Sequence, residues 1–345
     1  MTYPRWVVLS DGSCPTEDIY FLRSVAPWLQ TRGAEVRRID TSYWRLPILC
    51  MPWLVGEMRS AHVIVCRSIN THWLSWLENN RRQMASIRYL IDDDIAAAAL
   101  DPRLPEIYRR RMAHIAANVQ PRLMAICDEI VACSEGLAKR YREFHSCVSV
   151  LTPSLIVAPP ARNDTPISAT SSSVVGFFGS RAHLADLESI TPALVELHGS
   201  HASLTFEIML GDHSPASLQS LDRVHTPKPM SWRAFQRYRQ HQRVDIALTP
   251  MVDTPFNAGK SHIKFLDNAI TGSVGVYSAC SPYRHIVEHG ADGLLVENHA
   301  GAWKAAIQRL VERPIEARRM AGNAARKARE LGDPVQAQAF WWQRR

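Results

Sequence analysis

One rhythm constrains this chain more than any single motif. Short apolar runs rich in Val and Ile alternate with stretches that read as helices. The alternation stops at a proline- and serine-rich segment and then starts again. In the first half the strand-like runs are 6–10, 36–39, 62–66, 87–91, 129–133 and 148–151, with helical stretches at 16–31, 73–85, 105–126 and 135–144. Strand–helix–strand order implies a parallel sheet. Residues 152–173 change character: Pro153, Pro159, Pro160 and Pro166 lie among Ser, Thr, Ala and Asn, ending in Thr170-Ser171-Ser172-Ser173. The rhythm resumes with strands at 174–178, 204–210 and 244–248, helices at 184–198, 231–241 and 301–330, and a last helix at 334–343. The expectation is an α/β protein of two similar units. Residues 1–152 form the first, 153–173 a linker and 174–330 the second. A C-terminal helix within 331–345 is expected to pack back on the first unit.

Parallel sheets bind ligands beyond the carboxyl ends of their strands. With two sheets those ends can face each other across a cleft. The loops expected to line it are 11–15, 67–72, 92–97, 179–183, 211–213, 250–260 and 278–283.

Composition narrows the field. An apolar fraction of 46% and a charged fraction of 21% are those of a soluble globular protein. No apolar run approaches the ~20 residues of a membrane span, and Val7-Val8-Leu9 is too short for the core of a secretory signal. Seven scattered cysteines, without a Cys-x-x-Cys pair, point to a reducing cytoplasm and away from a disulfide framework or a zinc site. The net charge of +7 is not gathered into a tail or patch, which argues against nucleic acid as a partner.

Only six of the 40 basic residues are lysines, and two of them, Lys260 and Lys264, stand four residues apart in one stretch. With Asp267 they fall at helical spacing, on one face. The loop before them ends at a helix N-terminus, whose free N–H groups suit an anion. The ligand this stretch suggests carries phosphates and a hydroxyl-rich part. On spacing alone, such a pair is also an ordinary solvated helix face. Asp92-Asp93-Asp94 ends a strand, where a catalytic residue belongs. Three adjacent acids suit an acceptor's hydroxyls, an oxocarbenium-like transition state or a cation, and the alternative is a helix cap. Arg109-Arg110-Arg111 point in three directions on a helix and read as a solvated face, with contact to an anionic membrane as the alternative. The fourteen histidines show no metal spacing.

Several motifs resemble the donor-binding domain of retaining, family-4-type GT-B glycosyltransferases of bacterial surface-polysaccharide synthesis. They are Gly176-Phe-Phe-Gly-Ser-Arg-Ala-His183 with Asp186-Leu187, Lys260-Ser261, Lys264-Phe265-Leu266-Asp267, Gly272, Ser278, Pro282-Tyr283 and Gly290-x-x-Gly293-Leu294-Leu295-Val296. The resemblance covers about 174–312 and is looser in the first half, at Tyr20, Arg23, 90–95 and 128–137. It implies two Rossmann-like domains with parallel sheets facing a central cleft. The activity it implies is transfer of a sugar from a nucleoside-diphosphate donor to a glycan or lipid-linked acceptor, without an obligatory metal or other cofactor. It also allows loose peripheral contact with the inner membrane face.

The roles carried over follow from that chemistry. The leaving diphosphate needs cations or backbone N–H groups, and Lys260 and Arg181 are assigned to it, with Lys264 as the alternative. Gly179 and Ser180 let the backbone approach the phosphates, and His183 is placed near them. Asp267 stands where the family has a glutamate for the ribose hydroxyls. The glutamate expected eight residues earlier is Gly259, which leaves Asn257 or backbone amides to hold the donor sugar, or a different mode of donor recognition. Tyr283 either lines the pocket or packs the helix start. Asp92 is the expected catalytic acid of the first unit, with Asp93, Asp11 and Gly12 on the acceptor side.

Overall fold

The computed structural model describes residues 4–12, 15–47, 51–160, 172–242 and 244–345. The middle of the expected linker and part of the loop at 11–15 lie outside them. The first six strands are Arg5–Ser10 (β1), Glu35–Asp40 (β2), Ala61–Cys66 (β3), Ser86–Ile91 (β4), Glu129–Ala132 (β5) and Val148–Val150 (β6). They form one sheet in the order β2-β1-β3-β4-β5-β6, every pairing parallel. The second six are Ser173–Phe177 (β7), Leu204–Ile208 (β8), Val224–His225 (β9), Ile246–Thr249 (β10), Val274–Ser278 (β11) and Leu294–Val296 (β12). They form a second parallel sheet, β12-β11-β10-β7-β8-β9.

The strand composition explains the burial. All six residues of β4, Ser-Ile-Arg-Tyr-Leu-Ile, are buried, because crossover helices cover both faces of a parallel sheet. The short edge strand β9 was not legible in the sequence. The helix expected over 16–31 is broken into segments at Pro15–Glu17, Asp18–Leu22 and Ala26–Gln30. Pro27 lies in the first turn of the last of them, where a missing N–H costs nothing.

Each sheet has a point where the strand order reverses, between β1 and β3 and between β10 and β7. Ligands bind at such points in open α/β sheets. The two meet because the chain ties the units together in several places. Ser134 donates to the carbonyl of Gly259 at 2.8 Å, and Trp232 Nε1 donates to Asp18 at 2.8 Å. The helix Pro334–Trp342 crosses back, seating the fully buried Trp341 against Trp6 and Phe21 at ring separations of 5.7 and 5.3 Å. Trp341 Nε1 also donates to the carbonyl of Tyr20 at 2.9 Å. Arg344 then pairs with the buried Glu129 at 2.6 Å.

Candidate functional site

Between the two sheets lies a cleft of about 470 Å³. That suits a small ligand, since such sites run roughly 300–1,000 Å³. One wall comes from the helix Ile263–Thr271 and the loop before it, which present Lys260, Ser261, Lys264 and Asp267. The side chain of His262 does not cap this helix, and the first helical residues, Ile263 and Lys264, line the cleft, so uncapped N–H groups lie near it. The opposite wall comes from the carboxyl ends of β3 and β4, with Arg67, Asp92 and Asp93. A third, apolar wall holds Phe178, Met209, Met230, Trp232 and Phe235.

The acidic triplet divides its work. Asp94 caps the helix Ile95–Leu100 by accepting from the N–H of Ala97 at 2.9 Å, and it pairs with Arg140 at 2.8 Å. Asp92 and Asp93 face the cleft. Asp93 Oδ1 pairs with Lys260 across the cleft, while its Oδ2 accepts from Arg67 Nη2 at 2.7 Å. Burial opposes ionisation of Asp93, but Lys260 and Arg67 outweigh it and hold the carboxyl well below its usual range. Asp92 accepts from Thr16 through Oδ2, and its Oδ1 makes no hydrogen bond, with Arg67 Nε at 3.5 Å. Burial therefore prevails at Asp92 and raises its pKa, although Arg67 lowers it. Two adjacent carboxyls are thus pushed apart, as acid–base pairs are in catalytic sites.

Arg67 was not singled out from the sequence. It lies just past β3 with φ +62°, in the left-handed region. Tyr89 holds this turn by donating to the Arg67 carbonyl at 2.8 Å. A non-glycine residue there costs of order 1–3 kcal/mol, a strain typical of functional turns.

The structure brings together Lys260, Lys264, Asp267, Tyr283, Gly179, Ser180, His183, Asp92 and Asp93 around the cleft. Five other expected residues are elsewhere. Arg181 is exposed and outside the lining, because the turn after Gly179 carries its side chain outwards. Asn257 spends its amide on Asp186 at 3.2 Å and the Val252 carbonyl at 2.8 Å, bracing the loop rather than facing a ligand. Gly259 is pressed against the first unit: a Cβ there would stand 3.4 Å from both Asp94 Cβ and Leu137 Cδ1. Asp11 pairs with Arg111 at 3.0 Å, and the N–H of Gly12 donates to Asp40 at 3.1 Å; neither lines the cleft.

Asp267 is not a bare carboxylate. Its Oδ1 is taken by the buried Arg239, and its Oδ2 lies 3.4 Å from Lys264 Nζ. Arg239 rises from the helix Trp232–His241, 5.5 Å from the Trp232 ring and 5.6 Å from that of Phe235. One ion pair thus joins the polar floor to the apolar wall. Tyr283 combines two expectations, since it lines the cleft and also stacks on Tyr277 at 4.9 Å. His183 Nδ1 lies 2.9 Å from Asp186, leaving Nε2 as the ring's other nitrogen. Burial, aided by Lys260 and Lys264, lowers its pKa despite Asp186. Among the described residues no group of three or more His, Cys, Asp or Glu could hold a metal ion.

His262, next to this wall, is buried without a partner for Nε2, and burial lowers its pKa to about 4. An unfolded histidine titrates near 6.5. Its stabilising effect is complete above that value and is lost as pH falls towards about 4. Moving from pH 7 to pH 5 should cost about 2 kcal/mol through this residue alone, at 1.36 kcal/mol per pKa unit. Urea unfolding of the wild type and of His262→Gln at both pH values tests this. Equal pH sensitivity in the two proteins would refute it.

No protein-family model matches the sequence, and no curated protein matches it. Solved structures do match. A sucrose-phosphate synthase from Thermosynechococcus elongatus superposes with TM-score 0.69 at 12% identity, covering 99% of this chain and 98% of its own. HepE of Anabaena, in complex with UDP and glucose, gives 0.64 at 14% identity over 99% and 98%. The fold is GT-B. A glycosyltransferase from Rickettsia africae adds a TM-score of 0.62 at 10% identity over 99% and 98%. The GT-B cleft is therefore the place where the two sheets' carboxyl ends meet, as the strand orders require. No helix among the described residues is long and apolar enough to cross a membrane.

Proposed function

We propose that this protein is a glycosyltransferase that moves a sugar from a nucleoside-diphosphate donor to a glycan or lipid-linked acceptor. The observation that carries the reading is the polar floor of the cleft. Lys260 and Lys264 stand beside Asp267 at the open end of a helix, next to a wall of aromatic and methionine side chains. In this reading the apolar wall takes the base, Asp267 the ribose, and the lysines and helix end the diphosphate. Cations placed where charge develops on the leaving phosphate stabilise the transition state directly. Asp92 faces the reacting sugar from the other side. Its unbonded oxygen and raised pKa suit it to exchange a hydrogen bond with a substrate hydroxyl.

The finer assignments are retention of configuration, a hexosyl group and a role in surface polysaccharide synthesis in the cytoplasm. They rest on the family-4 motifs at 260–267 and 290–296, supported by the match to HepE, whose structures hold UDP or UDP-glucose. Peripheral membrane contact for a lipid-linked acceptor belongs to the same proposal. Of the three arginines offered for it, Arg110 pairs with Glu106 and Arg111 with Asp11.

One observation favours a second reading, a module that binds nucleotide sugar without turnover. The position of the expected sugar-holding glutamate is Gly259, which has no side chain and lies against the first unit, its carbonyl accepting from Ser134. A panel of nucleotide sugars, assayed for nucleotide release with and without glycan acceptors, separates the two. Release with at least one donor supports the enzyme; saturable binding without release selects the second reading. No binding by any donor contradicts both.

A further inference from the structure

The cleft's two cross-facing cations are held by one carboxylate. Asp93 gives Oδ1 to Lys260 from the second unit and Oδ2 to Arg67 from the first. All three side chains are largely buried, with relative exposures of 10% for Asp93, 16% for Lys260 and 29% for Arg67. A carboxylate that bridges two cations through separate oxygens has the bonding pattern of a phosphate group between the same cations. Arg67 is set for this by its backbone, because the left-handed turn at φ +62° projects it from the end of β3. The arginine expected in this role, Arg181, is exposed outside the cleft.

We infer that Arg67 is the second diphosphate ligand of the donor, supplied across the cleft, and that Asp93 holds its place until the donor arrives. The inference rests on the nucleotide-sugar reading above. When a diphosphate enters, its oxygens replace Asp93 Oδ1 at Lys260 and share Arg67 with Asp93 Oδ2. The exchange keeps both buried cations paired throughout, whereas an empty cation pair would be costly. It also couples binding to the closure of the two units, since the ligand must touch both walls at once.

Asp93 thereby competes with the ligand, and this predicts opposite signs for two variants. Arg67→Ala should weaken UDP binding about tenfold or more, the worth of a charge-assisted hydrogen bond. Asp93→Asn should strengthen it roughly threefold or more, because the competing anion is gone. Uridine, which has no phosphates, should bind both variants as it binds the wild type. Calorimetry with UDP, GDP, ADP and uridine, alongside circular dichroism to confirm folding, provides the measurement. Diphosphate binding that is unchanged in Arg67→Ala, or weakened in folded Asp93→Asn, overturns the inference. If Asp93→Asn does not fold, Arg67→Ala alone decides. Wild-type binding that depends on Lys264 but not on Arg67 would leave the donor reading standing without this inference. Failure of every nucleoside diphosphate to bind the wild type would remove both.

Discussion

Replacing Lys260 with alanine is expected to slow sugar transfer by about 10²–10³-fold, the usual cost of losing one donor aimed at a developing oxyanion. The side chain is held for that task. Its ammonium lies 4.1 Å from the Phe256 ring centroid and pairs with Asp93 across the cleft. Burial disfavours its charge, but Asp93 more than compensates, so its pKa is raised and it stays a cation. Alanine removes the charge without uncovering a bare buried acid, because Arg67 still holds Asp93 at 2.7 Å. The fold should therefore survive. Steady-state rates of nucleotide release for Lys260→Ala and Lys260→Arg measure the effect. A rate within threefold of wild type would exclude Lys260 from the leaving-group site.

The second large effect is on stability. Asp267→Ala should destabilise the protein by about 3–5 kcal/mol, the range seen when one partner of a buried ion pair is removed. Arg239 would be left with 2% exposure and Gln236 Oε1 at 3.0 Å as its remaining hydrogen-bond acceptor. Its Nε has no hydrogen bond even in the intact protein. Denaturant unfolding of Asp267→Ala and of the double variant Asp267→Ala/Arg239→Met tests the cause. The double variant should recover much of the loss, since an apolar chain replaces the stranded charge. If Asp267→Ala unfolds like wild type, the pair contributes nothing to the fold. Loss of activity in Asp267→Ala alone would say little about ribose, so Lys264→Ala is the cleaner probe of the floor.

The fold was legible because parallel sheets write themselves into sequence as short apolar runs separated by helices. The runs at 6–10, 62–66 and 87–91 all became largely buried strands. The proline- and serine-rich junction marked where the first sheet ends and the second begins. Part of the site was legible too: Lys264 and Asp267 share the helix Ile263–Thr271, whereas Lys260, expected on the same helix face, lies in the loop before it. What could not be read depends on partners far apart in sequence. Arg67 is one arginine among many, and only its backbone turn and the approach of Asp93 set it apart. Arg239 meets Asp267 from 28 residues away, and nothing local announces it. Arg181 fails for a smaller reason. A turn of one residue decides whether a side chain points into a cleft or out of it, and a motif match does not fix that turn. The acidic triplet shows both outcomes, since Asp94 caps a helix while its two neighbours face the ligand site.

The central claim is that the cleft binds a nucleoside diphosphate through Lys260. Isothermal titration of UDP, GDP and ADP into the wild type and into Lys260→Ala tests it most directly. At least one of the three should bind the wild type at a single site, and Lys260→Ala should bind it about tenfold or more weakly, as expected for the loss of a charge-assisted contact. Equal affinity in the two proteins, or no binding of any of the three to the wild type, would contradict it.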